Sequence, residues 1–544
     1  MKLREYNLSE QSKFMKDYRL GYEPLQKFYD YSYRSDYDYI QRYNELKNRD
    51  FQRVTIAEQL VQYNQRFGCS TETITNIAKL VDPSSVCVVA GQQAGILTGP
   101  LYTIHKIITV LKLAKEQERK LNVPVVPIFW MAGEDHDFDE INHLYSVDSG
   151  KLEKRKINQQ NDGKAAISNL EIDKGEVTRF IRELLRDCRE TNFTKDLIKN
   201  INDALEKSIY YSDFFSFLIH QLFKKSGIVL LDSHDKQLRE LERPFFKELI
   251  NKNDSLNDKF LETANQLSEN GYGEPIERGE NNAHLFFHFQ GKRLLLERSR
   301  DHLFSDKHSL FSFTKDELLQ IVAKEPENLS NNVVTRPLMQ EYLLPVLAFV
   351  GGPGEIAYWA TLKEVFHLFS FKVPPIVPRF SITLIESQIQ KYLEEFQLPV
   401  EDVLAVGTTA ARTKLTMSKH KQQIDDTVQR TLEQVEKLHK PLKELVKTYD
   451  KGLEALANKN ELMIKKEINF LAERIQKSVR QKNQHESIKF DLIEANLKPR
   501  DGLQERSLNV VYYLNEYGLD FVQRLNELPL QFNDNHKLVY LNCR

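Results

Sequence analysis

The chain has 544 residues, enough for roughly three or four domains, and a hydrophobic fraction of 41% that suffices for a substantial core. Lys and Arg number 76 against 78 Asp and Glu, a net charge of −2 that argues against a general polyanion or nucleic-acid binder but permits a local basic pocket. The cysteines (Cys69, Cys87, Cys188, Cys543) are dispersed and form no CxxC pair, so neither a disulfide framework nor a zinc site is read from them.

The opening Met1–Tyr6 has no apolar stretch of a secretory signal, and no apolar run reaches the ~18 residues that cross a bilayer; a cytoplasmic protein is expected. Residues 1–84 read as helical and tyrosine-rich (Tyr29, Tyr31, Tyr33, Tyr37, Tyr39, Tyr43), with rings that pack at one end and meet water at the other. Residues 85–145 read as strand, helix and strand. An apolar run from Val86 stops at Gly91, and the helix over 100–118 places Ile104, Ile107, Ile108, Leu111 and Ala114 on one face. The second strand, Val123 to Met131, leads into Gly133-Glu-Asp-His-Asp-Phe138.

Residues 146–208 are polar, include a loop over Asn158–Gly163, and read as an insertion. Over 209–270 the core continues with a helix at 209–226, a short strand Gly227–Asp232 and a helix from Lys236 to Asn270. Residues 271–335 form a second, mixed insertion with a hairpin turn at Gln290-Gly291-Lys292. The second half of the core, 336–385, has a strand Leu344–Val350, the turn Gly351-Gly-Pro-Gly-Glu355, a helix through Phe369 and a strand Pro374–Arg379. The expectation is an α/β fold, with a parallel sheet in two halves joined by crossover helices. Residues 386–490 carry two apolar stripes at heptad spacing: Val435, Leu438, Leu442, Leu445, Tyr449, then Ile464, Ile468, Leu471, Ile475, Val479. They are interrupted near Asp450–Gly452 and again near Asn458–Asn460. An antiparallel coiled-coil hairpin follows, read equally as a subunit junction or as a fold back onto its own domain. Residues 491–544 form a C-terminal segment.

Two glycine-rich turns are the candidate site. In the first, Gly91, Gln92, Gln93, Gly95, Thr98 and Gly99 precede Thr103, His105 and Lys106 on the next helix. Such a turn lets backbone N–H groups approach a ligand, and the helix end favours negative charge. It lacks the Gly-Lys-Ser/Thr of a P-loop. In the second, Gly351 and Gly352 precede Glu355, Tyr358 and Trp359, with Glu355 and Tyr358 on one helix face. Between the two lie Trp130 and the cluster Glu134, Asp135, His136 and Asp137, which could hold an ammonium, a metal or sugar hydroxyls, or serve as helix-capping carboxylates. In the tail, Arg500 and Arg506 are candidate anion clamps, with a solvated charge run as the competing reading.

Tyr102-Thr-Ile-His105 resembles the His-Ile-Gly-His motif of class I aminoacyl-tRNA synthetases in its last histidine, and Thr416-Met-Ser-Lys419 faintly resembles their Lys-Met-Ser-Lys-Ser loop. Together, Gly91-Gln-Gln-Ala-Gly95, Thr98-Gly-Pro-Leu-Tyr-Thr103, Glu134-Asp-His-Asp137, Gly351-Gly-Pro-Gly-Glu355, Lys498-Pro-Arg500 and Gln504-Glu-Arg506 resemble, in order and over the whole chain, the cysteine-adding enzymes of bacillithiol synthesis, the BshC family. The resemblance implies a class I synthetase-like Rossmann core, two connecting-peptide insertions and a C-terminal α-helical coiled coil that makes a homodimer. It also implies a carbon–nitrogen ligase that joins L-cysteine to the amine of glucosaminyl-malate. Cysteinyl-adenylate would be the activated species, with ATP and Mg2+ as cosubstrates. His105, Asp135 and His136 would then be catalytic, the glycine turns and Lys106 would hold nucleotide, Glu355, Tyr358 and Trp359 would line the opposite wall, and Arg500 or Arg506 would meet the malyl carboxylates. Cysteine-activating synthetases hold the thiol on zinc, and no matching cysteine set is present here. Either the thiol is recognised without zinc or activation takes another form. A nucleotidyltransferase of the same fold, and a non-catalytic coiled-coil dimer that binds a nucleotide or thiol metabolite, are the alternatives.

Overall fold

Apolar runs without alternation, such as Val86–Gln92 and Val125–Met131, suit strands covered on both faces. In the computed structural model they pair in parallel at the centre of a five-stranded sheet. The structure describes residues 1–8, 12–148, 150–161, 165–299, 301–416 and 419–541. Met417 and Ser418 of the Lys-Met-Ser-Lys-Ser-like stretch, Asp162 and Gly163 of the expected loop, and Cys543 lie outside the described residues.

Across the sheet the strands run Ile376–Pro378, Val346–Gly351, Val86–Gln92, Val125–Met131 and Val229–Asp232. Numbered along the chain this is 5-4-1-2-3, the order of a Rossmann sheet, all of it parallel. The order reverses between the first strand and the fourth. Their register pairs Val350 with Ala90, so Gly91 and Gly351 leave neighbouring carboxyl ends. This reversal is where an open α/β sheet offers a ligand crevice, and it is flanked by the crossover helix Tyr102–Leu121 and the helix Pro353–Trp359.

Several segments depart from the expected outline for identifiable reasons. The span 236–270 is two helices, Lys236–Asn251 and Asn253–Glu269; the break lets buried Asn253 donate to the Ala283 carbonyl at 2.7 Å. The helix after the second glycine turn likewise divides into Pro353–Trp359 and Lys363–Leu368. Within 271–335 lies a five-stranded antiparallel sheet, ordered Ser312–Phe313, Phe304–Ser305, Lys292–Arg298, Asn282–Phe289 and Leu329–Asn331. Its hairpin turns at Gln290 and Gly291, both at positive φ (49° and 76°), as a two-residue loop of this hand requires. The N-terminal segment is helical except for the strand Lys2–Tyr6. That strand pairs antiparallel with His536–Leu541, which pairs parallel with Ile382–Glu386. Tyr18 and Tyr29 are buried and donate their hydroxyls to the Ile376 and Ile356 carbonyls at 2.6 and 2.7 Å, while Tyr37 is exposed.

Two compact units result. One comprises Met1–Ser146, Glu153–Glu386 and Gly502–Arg544; the other Val147–Leu152 and Ser387–Asp501. In the second, Lys419–Tyr449 and Glu454–Leu497 form an antiparallel helical hairpin. Its only interruption is the short turn Lys451–Leu453, and the second helix continues past residue 490. The expected break near Asn460 is absent: Glu454–Leu497 runs through it as one helix, and the Asn460 side chain pairs with His439 Nε2 of the facing helix at 3.0 Å. Among the described residues, no helix is long and apolar enough to cross a membrane.

Candidate active site

The first turn is a strained backbone held from outside. Leu97 and Thr98 lie at φ 49° and 74°, conformations rarely adopted by side chains of these types. A Cβ on Gly95 would sit 2.8 Å from Gly99 Cα, so only glycine closes this loop. The tail supplies the brace. Asn509 Nδ2 donates to the Leu97 and Gly99 carbonyls at 2.9 and 2.5 Å, and Leu101 N donates to the Leu508 carbonyl at 2.8 Å. Thr98 Oγ1 is buried without a protein partner, and Thr103 is buried in the first turn of the helix.

Lys106 links the two turns. Its Nζ, only 2% exposed with the rest of the side chain, donates to the Gly91 carbonyl at 2.7 Å and to Gln92 Oε1 at 2.8 Å. It also lies 2.5 Å from Glu355 Oε2. Burial lowers its pKa, and Glu355 opposes that shift. Glu355 at the same time accepts from Gly352 N at 2.8 Å, so the cap of its helix and the charge partner of Lys106 are one carboxylate. His105, on the same helix turn, faces elsewhere. Its imidazole is fully buried and its Nδ1 meets Glu505 Oε2 at 2.8 Å; the other Glu505 oxygen accepts from Arg379 Nη1 at 2.6 Å. Burial lowers the His105 pKa, leaving a neutral ring protonated at Nδ1. Glu505 is held far below the usual carboxylate range: burial would raise it, but Arg379 and His105 outweigh that.

The Glu134–Asp137 cluster divides by role. Glu134 is buried against Arg239 and accepts from Asn331 N at 3.3 Å. Asp135 accepts from Gln93 Nε2 at 2.7 Å and lies 3.7 Å from Arg293 Nη1. Burial would raise its pKa, but Arg293 and these hydrogen bonds hold it low. His136 Nδ1 accepts from Arg293 Nη1 at 3.2 Å, which places its proton on Nε2. Asp137 is exposed at the start of the short helix Phe138–Ile141. Gly133 is required by packing, since a Cβ there would stand 2.0 Å from Ser168 Oγ and 2.1 Å from Asp232 Oδ1.

Tyr358 Oη accepts from Arg336 Nη2 at 2.8 Å. Trp130 and Trp359 are enclosed in the core, the latter against Phe349 and Phe366. Of the two tail arginines, Arg506 is exposed and lies close enough to Tyr102 to act on its hydroxyl, while Arg500 belongs to the helical-hairpin unit. The glycine turns, Lys106, Glu355 and Tyr358 therefore share the crevice, with Gln93 and the 134–136 cluster at the end of the neighbouring strand.

Sequence reasoning passed over Arg239, Arg293, Arg336, Arg379, Asn331, Glu505 and Asn509. Glu505 stood inside the quoted Gln504-Glu-Arg506 stretch, where the arginine drew attention instead; the others carry no local signal. Among the described residues, no group of three or more His, Cys, Asp or Glu side chains is arranged to hold a metal ion.

Residues 1–380 match the family model "Bacillithiol biosynthesis BshC, N-terminal Rossmann-like domain", and residues 382–541 match "Bacillithiol biosynthesis BshC, C-terminal coiled-coil domain". Proteins named "Putative cysteine ligase BshC" from Bacillus thuringiensis subsp. konkukian and Bacillus cereus (strain AH820) are each 41% identical over 541 residues, covering 99% of this chain and 100% of theirs. The Bacillus anthracis protein of that name is equally similar at 41% over the same coverage. By both measures the chain belongs to the BshC family of bacillithiol biosynthesis.

Proposed function

We propose that this chain is a cytoplasmic ligase that joins the carboxyl group of L-cysteine to the amine of glucosaminyl-malate, giving bacillithiol, with ATP as the activating cosubstrate. The observation that carries the reading is the bridge made by Lys106 between the carbonyl of Gly91 and the carboxylate of Glu355, which brings both glycine turns to one crevice. A carboxylate does not acylate an amine at neutral pH unless its oxygen is converted to a leaving group. In the first step a cysteine carboxylate oxygen attacks the α-phosphorus of ATP and pyrophosphate leaves. In the second the sugar amine attacks the acyl carbon, AMP leaves and the amine gives up a proton.

The first turn suits the nucleotide. Gly95 and Gly99 let it fold tightly, and it leads into the start of the helix Tyr102–Leu121, whose dipole favours an anion even though Leu101 N and Thr103 N already donate to the Leu508 and Pro100 carbonyls. Mg2+ would neutralise the triphosphate when bound. Lys106, paired with Glu355, holds the two turns in one preorganised arrangement around the reacting groups. Asp135, ionised at neutral pH, orients the amine, and His136 offers an Nε2 proton as a donor. His105 acts from behind as a positioning residue, tying the helix of the first turn to Glu505 and Arg379.

The helical hairpin supports a homodimer. Leu438, Leu442, Leu445, Tyr449, Leu456 and Leu462 are each more than half exposed, from 54% to 83%. A second copy of the hairpin would cover such a stripe.

The test is incubation of the purified protein with cysteine, glucosaminyl-malate and ATP, followed by mass spectrometry. Bacillithiol formed with equimolar AMP and pyrophosphate is expected. ADP in place of AMP would replace the adenylate by an acyl phosphate. An adenylylated final product would make the protein a nucleotidyltransferase, and no turnover would overturn the ligase reading. Asp135→Ala should lower kcat/KM by 100-fold or more in a protein that stays folded.

A further inference from the structure

The helix Thr335–Leu343 places Arg336 and Gln340 one turn apart on the same face, directly before the fourth core strand. Neither was singled out by the sequence, and both have unmet bonding capacity. The buried cations around it are paired: Lys106 with Glu355, Arg239 with Glu134 and Glu242, Arg293 with Asp135, and Arg379 with Glu505. Among the described residues no carboxylate comes within ion-pair distance of Arg336. Its one hydrogen bond goes to a neutral acceptor, the Tyr358 hydroxyl at 2.8 Å. Gln340 Nε2 is buried without a partner, 4.0 Å from the position a Cβ would take on Gly91, at the floor of the crevice. Asn331, whose amide is bonded to Glu134, is 1% exposed and leaves both atoms of its carboxamide unpartnered.

A guanidinium that feels Glu355 and Glu134 only at longer range, with no carboxylate in direct contact, leaves its planar fork open to an anion that arrives with the ligand, and that fork matches a carboxylate. Under the function proposed above, two substrates bring carboxylates. The cysteine carboxylate is consumed on activation, one oxygen becoming the bridge to the phosphate, so it offers an arginine no lasting bidentate partner. The malyl carboxylates stay ionised from binding to release. We propose that Arg336 is the binding residue for a malyl carboxylate of the acceptor, with Gln340 as an additional donor, so that this helix sets the preference for a dicarboxylate-bearing sugar amine. The assignment rests on the ligase reading.

The experiment compares wild type, Arg336→Gln and Arg336→Lys in the full-length protein. It uses glucosaminyl-malate and, as an acceptor without carboxylates, methyl glucosaminide, together with direct calorimetric titration of glucosaminyl-malate. Arg336→Gln should raise KM and Kd for glucosaminyl-malate roughly 10- to 100-fold. KM for methyl glucosaminide, KM for cysteine and kcat should stay within about threefold, and Arg336→Lys should recover part of the affinity. Equal loss on both acceptors, a rise confined to cysteine, or unchanged titration in Arg336→Gln would overturn the assignment while leaving the ligase intact. Failure of the wild-type protein to bind glucosaminyl-malate would instead overturn the functional reading itself, and this inference with it.

Discussion

The turn after Val346–Gly351 closes on itself: Gly352 N donates to Glu355 Oε2 at 2.8 Å, Pro353 begins the helix, and Gly352 sits at an ordinary φ of −82°. The turn after Val86–Gln92 cannot do so. It holds Leu97 and Thr98 at positive φ and depends on Asn509, 412 positions away, to bind the Leu97 carbonyl. Residues kept in such conformations cost about 1–3 kcal/mol each and persist only where their surroundings impose them. Two loops at neighbouring ends of one sheet thus differ in where their geometry is stored. The second keeps it in its own sequence, and the first borrows it from the tail.

The largest expected effect removes the residue that serves both. Glu505 bonds His105 behind the first turn and Arg379 beside the second, so Glu505→Ala leaves a buried guanidinium unpaired. A loss of about 3–5 kcal/mol is expected in urea denaturation; a loss below 1 kcal/mol would show that the tail does not organise the site.

A smaller effect comes through pH. Glu386, at the end of the strand that pairs with the tail, has a pKa raised to about 7, chiefly by burial. Tyr512 and Tyr517 hydroxyls donate to it at 3.1 and 3.3 Å. Because the folded value lies above the unfolded one, its contribution is complete below the ordinary carboxylate range and is lost as pH rises through about 7. Stability should therefore fall by about 1–3 kcal/mol between pH 5 and 8, and Glu386→Gln should flatten that slope. Amide protection relative to the intrinsic rate at each pH should fall at residues 95–101 over the same range while residues 351–357 keep theirs; equal behaviour of the two loops would contradict the contrast between them.

The sharpest comparison carries the least energy. Gly95→Ala meets Gly99 Cα at 2.8 Å and should cost about 1–3 kcal/mol, whereas Gly352→Ala, with Arg379 Nε at 3.5 Å, should cost about 0.5 kcal/mol in thermal unfolding. Similar losses for both would erase the distinction.

That contrast also explains what could be read from the chain alone. Buried parallel strands announce themselves as unbroken apolar runs, and the Gly351–Glu355 turn carries its capping carboxylate within reach, so the core and both loops were legible. The heptad stripes marked the helical hairpin for the same reason. The chemistry between the loops was less so. Arg293 comes from a hairpin strand, Arg336 from a helix before the fourth strand and Arg239 from a helix after the third, and no spacing links them. His105 reads as a catalytic candidate on the helix after a glycine turn, yet its ring is buried against Glu505, which arrives from 400 positions downstream. Residues that act through sequence-local geometry are visible in one dimension; residues assembled by topology are not.

The dependence of the first loop on Asn509 sets an order of events during synthesis. At about 5–20 residues per second, the 412 positions between Leu97 and Asn509 take roughly 20–80 s to emerge from the ribosome. For the last part of that interval, roughly 8–30 s while the chain extends from Glu355 to Asn509, it carries a finished second loop beside an unlatched first one. A ligand of the first turn would have no rigid cradle to enter until the latch arrives.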